Sequence, residues 1–83
     1  MSEPINSGDY EKVYTVNIAS FMDFERVKVD LIQIQGVEDV SFNEELTPHE
    51  ITAFTNGLVT DVVIQEVVAR HGFQAVPKTF LIG

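Results

Sequence analysis

KVYTVNIASFMDFERVKVDLIQIQGVEDVSFN, residues 12–43, decides the fold of this 83-residue chain. In Lys12–Ala19, Tyr14, Val16 and Ile18 fall on one side, with Thr15 and Asn17 among the residues opposite. That period of two predicts a half-buried strand. Ser20–Asp23 is a short connection, and either Ser20 or Asp23 can cap a helix start. Phe24, Val27, Leu31 and Ile34 then recur at spacings of 3, 4 and 3, one helical stripe. The spacing predicts a helix over Asp23–Gln35, with Glu25 near its positive end and Gly36 as a left-handed C-cap. Val37–Asn43 reads as a second strand, with Val37, Ser41 and Asn43 on one parity and Val40 and Phe42 on the other.

Outward from this unit the pattern repeats. Glu44–Pro48 is a turn, His49–Thr55 a third strand in which Ile51 and Phe54 alternate imperfectly, and Asn56-Gly57 a second turn. Thr60 has N-cap chemistry, with Val63 rather than Glu at the capping-box position. Asp61–His71 is a second helix with the stripe Ile64, Val67 and Val68, and Gly72 stops it. Its β-branched residues are poor helix formers, so packing must favour it. Phe73–Val76 is the last strand. Pro77 interrupts it, and Lys78–Gly83 reads as a short continuation. Residues 1–11, with Pro4, Ser7 and Gly8, read as a flexible tail before a single domain over residues 12–83. The order β-α-β-β-α-β predicts an α+β, ferredoxin-like sandwich: a four-stranded antiparallel sheet with both helices on one face. A core of about 70 residues supplies only a few kcal/mol, so dimerisation would add stability.

Composition narrows the function. Five basic residues against 13 acidic give a net charge of −8, and there is no cysteine. Disulfides, zinc fingers, thiolate copper sites and redox CxxC motifs are excluded. The charge disfavours nucleic acid and anionic membrane surfaces, and no apolar run suits membrane insertion. Met1–Gly8 lacks the basic and apolar regions of a signal peptide, which makes the cytoplasm the expected location.

Gly36-Val37, the helix positions Val27, Leu31 and Ile34, the strand positions Val40 and Phe42, then Ile64, Val68 and Gly72-Phe73 resemble the heavy-metal-associated (HMA) domain of copper chaperones and metal-transporting P-type ATPases. The resemblance covers Lys12–Val76 and implies the βαββαβ fold. It implies two metal-binding cysteines after the first strand, at positions counted back from Gly36-Val37. Those positions hold Ser20 and Asp23, and Ile18 stands at the loop methionine. A hydroxyl and a carboxylate do not replace thiolates for a soft cation such as Cu(I). Val76–Ile82 also resembles the cis-proline segment of thioredoxin-like proteins, a match read as coincidence because the CxxC and the rest of that fold are missing.

Several residues carry candidate chemistry. Asp23, with Ser20 and Glu25, can bind a harder divalent ion or simply cap and charge a helix start. His49 and His71 are the only histidines, in different elements, and are weak metal candidates. His71 at a helix C-terminus has a sufficient structural reason. Glu38, Asp39, Glu44 and Glu45 bracket the second strand, expected at a sheet edge. They form a docking patch for a basic partner or protect that edge by charge. Phe21 in the loop, with Met22, Val29 and Ile32, forms an expected apolar patch for a partner or a second copy. Asp30 sits where the family has a small residue, so a rim position or an ion pair is expected. No nucleophile–base arrangement is legible, and no catalytic residue is assigned. The expected function is a non-catalytic interaction or self-association module without a cofactor. The alternative is a metal-ion protein using Asp or His ligands, or a site shared with a partner. Small-molecule sensing, as in ACT domains, suffers from the missing glycine-bearing loop.

Overall fold

The computed structural model describes residues 10–57 and 59–78. Its elements run β1 (Tyr10–Val16), α1 (Phe21–Leu31), β2 (Val37–Asn43), β3 (Glu50–Thr55), α2 (Asp61–Arg70) and β4 (Ala75–Pro77). The four strands form one antiparallel sheet in the order β2-β3-β1-β4. The ferredoxin-like α+β sandwich is therefore present, with β2 at an edge. The core lies between sheet and helices, filled by Tyr14, Val16 and Ile18 from β1 and its exit, Ile51 and Ala53 from β3, and Phe24, Val27, Leu31, Ile64 and Val68 from the helices.

Four details differ from the sequence reading. Strand β1 begins at Tyr10, so the last two residues of the expected tail belong to the sheet, where Tyr10 pairs with Thr55 and Glu11 with Phe54. Residues 1–9 of that tail, Leu58, and Thr79–Gly83 of the expected continuation lie outside the described residues. Helix α1 runs earlier than expected, because Ser20 caps it and Ile32 ends it. Gly36 does have a left-handed φ of 101°, but in the loop beyond the helix, where a Cβ would meet Val59 Cγ2 at 2.8 Å.

The third difference is a β-bulge. Val37 pairs with Thr55 and Asp39 with Phe54, so two steps on β2 match one on β3. Glu38 is the extra residue, and it rephases the strand. Val37 thereby joins Val40 and Phe42 on the helix-facing side, where simple alternation separates them. Strand β3 then alternates cleanly, with Ile51, Ala53 and Thr55 buried and Thr52 and Phe54 on the open face.

The fourth concerns Pro77, which pairs with Tyr14 inside β4 instead of interrupting it. The ladder continues as Lys78 N–H donates to the Val13 carbonyl at 2.8 Å. By alternation the Pro77 nitrogen is on the outer side of an edge strand, where no ladder bond is lost.

Burying Tyr14 completely creates a polar problem that α2 solves. Its hydroxyl donates to Asp61 Oδ1 at 2.7 Å, and Lys12 Nζ stands 3.2 Å from the same oxygen. Burial, then the Asp61 carboxylate, pushes the phenol far above its usual range. The same hydrogen bond, aided by Lys12, holds the Asp61 carboxyl below the usual carboxylate range. A depressed folded-state pKa contributes stability above the unfolded value and loses it as pH falls through the folded one. Tyr14→Phe should lower unfolding free energy at pH 7 by about 1 kcal/mol, discounted for the half-exposed carboxylate. Urea denaturation should show that difference shrinking below about pH 4.

Candidate functional site

The candidate site is the β1–α1 connection, Asn17–Ser20, with the first turn of α1. It is pinned on three sides. Val16 N–H donates to the His49 carbonyl at 2.9 Å, and His49 Nδ1 lies 2.9 Å from the Ile18 carbonyl. A carbonyl only accepts, so Nδ1 carries a proton and donates it; in the neutral ring Nε2 then presents a lone pair. Gln74 N–H donates to Asn17 Oδ1 at 2.8 Å, which ties the loop to the approach to β4. Ile18 is buried and anchors the loop from below.

Ser20 closes the loop as the N-cap of α1. Its backbone is extended, at φ −123° and ψ 150°, and its Oγ accepts from Asp23 N–H at 3.1 Å. Asp23 lies in the first turn, at the positive end of the helix. The two positions implied as metal ligands are therefore joined to each other as a capping pair.

Phe21 and Met22, between them, are 52% and 69% exposed. Val29, one heptad after Met22, and Ile32 are also exposed. Phe21 also packs inward: its ring lies 5.7 Å from that of Phe24, which stacks on Phe42 at 4.9 Å, and Phe42 meets the His49 ring edge-on at 5.4 Å. Each such pair contributes about 0.5–1.5 kcal/mol beyond area burial. This aromatic series links the α1 start, β2 and the β2–β3 turn.

The remaining sequence candidates lie elsewhere. His71 follows α2, and its Nε2 stands 2.7 Å from Asp30 Oδ2, so Asp30 is paired across the two helices. The four acids of β2 are not one group. Glu38 and Asp39 are at the bulge, whereas Glu44 and Glu45 follow the other end of the strand, about 16 Å away. Asp39 Oδ1 accepts from Val40 N–H and pairs with Lys28 at 3.4 Å, and the two lower its pKa in that order. Glu38 accepts from Asn56 Nδ2 at 2.7 Å. Among the described residues no three His, Asp or Glu side chains stand grouped to hold an ion. No helix there is long and apolar enough to cross a membrane.

The sequence reading did not find the loop's restraints. Sequence marks His49 only as a weak metal candidate and Asn17 not at all, because their partners are 31 and 57 residues away.

No protein-family profile and no curated protein matches the chain. Two solved structures do. One, from "Crosstalk between Cu(I) and Zn(II) homeostasis", has a TM-score of 0.68 at 13% identity and covers 82% of this chain and 97% of its own. The other, "The apo form of HMA domain of copper chaperone for superoxide dismutase", has a TM-score of 0.67 at 20% identity and covers 100% of this chain and 83% of its own. The chain therefore has the HMA-like fold, without a cysteine anywhere in its sequence.

Ser20→Ala should cost about 1 kcal/mol of stability, and Ser20→Asp should restore most of it, since either oxygen accepts from the Asp23 N–H. Urea denaturation of the two variants checks this.

Proposed function

We propose that this chain is a non-catalytic protein-interaction module on an HMA-like scaffold, docking through the first turn of α1 and the loop before it. One observation carries the reading. The Ser20 hydroxyl, at one implied thiolate position, is spent on capping the helix by accepting from the backbone N–H of Asp23 at the other, while the side chains between them, Phe21 and Met22, project large apolar surfaces outward. Holding such surface in water is unfavourable, and Val29 and Ile32 extend it along the same helix. The first occupant to consider is a second copy of the chain, because a domain this small gains stability from association.

Sedimentation tests this directly. Wild type should gain mass with concentration, and Phe21→Ser and Ile32→Ser should remain monomeric. Wild type running as a monomer throughout would remove self-association.

A second reading, metal handling by non-thiolate ligands, has one specific observation in its favour. His49 donates its Nδ1 proton to a backbone carbonyl, an arrangement typical of metal-ligating histidines, and its Nε2 is left to accept. Both matched structures are described in terms of copper. Melting in the presence of Zn(II), Ni(II) or Cu(I) separates the readings. An ion at 100 times its Kd adds about 2.7 kcal/mol. The interaction module should show no such gain, whereas a metal protein should show one that His49→Gln or Asp23→Ala abolishes.

A further inference from the structure

We propose that the sheet end remote from the β1–α1 loop carries a recognition cavity for an arginine side chain of a partner protein. The cavity is shallow, about 240 Å³, and is lined by Tyr10, Glu11, Glu38, Phe54 and Thr55. The lining thus combines two acidic residues with Phe54, which shares the open face of the sheet with Glu11, and with Tyr10 at the start of the neighbouring strand; none of its described residues is basic. Phe54 is half-buried, and Tyr10 is 55% exposed.

The backbone explains why these groups meet. Glu11 is the direct cross-strand neighbour of Phe54, which brings their Cβ atoms to about 5 Å. Glu38 reaches the cavity as the extra residue of the β2 bulge, between the Val37–Thr55 and Asp39–Phe54 pairs. Asn56 Nδ2 holds its Oε2 at 2.7 Å. A carboxylate has about four acceptor sites, so this bond orients Glu38 without exhausting it.

Ring faces attract a cation through their quadrupole, and carboxylates pair with it. Guanidinium suits the set better than ammonium. It is planar, stacks on an aromatic face, and spreads five donors over more than one carboxylate. The chain's net charge of −8 would steer a basic partner toward it. This inference does not rest on the α1 surface. Tyr10 opens β1 and Val16 ends it, about 20 Å apart.

The test is an amide-resolved NMR titration at low salt with a capped tripeptide bearing a central arginine. Saturable shifts are expected at Tyr10, Glu11, Phe54 and Thr55. The citrulline peptide, equal in shape but uncharged, should bind at least about tenfold more weakly, with lysine between them. Glu11→Gln combined with Glu38→Gln should abolish saturation, and Phe54→Leu should weaken it, in variants whose spectra keep native dispersion. Phe21→Ser should leave the titration unchanged. Non-saturable shifts, equal binding of the citrulline peptide, binding retained in the double variant, or shifts centred on the β1–α1 loop would each overturn the proposal.

Discussion

A single inserted residue in β2 sets the phase of one side of this molecule. Without the Glu38 bulge, strict alternation would turn Val37 away from the core when Val40 and Phe42 face it. With the bulge, all three reach the helix layer, and Phe42 meets the ring of Phe24. Closure of the sandwich over its β2 side follows. The same insertion turns Glu38 and Asp39 outward together, one toward Asn56 and the Phe54 cavity, the other toward Lys28. Hydrophobic closure and the charged rim thus have one backbone origin.

The periodic parts of this architecture were legible in the residues. Tyr14, Val16 and Ile18 point inward as their spacing requires, and so do Phe24, Val27 and Leu31, and Ile64, Val67 and Val68. The Thr60 cap, the Gly72 stop and the bounds of β2 also agree with the reading. The errors came where one long-range bond overrides local chemistry. Ser20 won the cap from Asp23 because the loop before it is held by His49 and Gln74, which fixes where the helix can start. Pro77 was tolerated because only the sheet order shows that its nitrogen faces outward. The bulge leaves no mark in the alternation of VEDVSFN, since it is a property of pairing with β3.

The candidate site was less legible than the fold for a related reason. Sequence could say which residues occupy Ser20 and Asp23. It could not say that they bond to each other, or that His49 fixes its tautomer on the loop they close. Backbone, amide and imidazole groups restrain the β1–α1 loop. The helix start is thus held by the loop's own hydrogen bonds, and it bears two exposed apolar side chains.

The outer margin of β4 has a consequence for how copies of this chain can assemble. Lys78 donates inward to Val13, so the outward-pointing backbone groups of the strand are those of Ala75 and Pro77. Gln65 Nε2 already donates to the Ala75 carbonyl at 2.9 Å, and Pro77 has no N–H to offer. An added strand would find the Ala75 acceptor already engaged and no donor at Pro77, so that margin offers it only the Ala75 N–H and the Pro77 carbonyl. One imino acid and one glutamine thus blunt the β4 edge against strand addition.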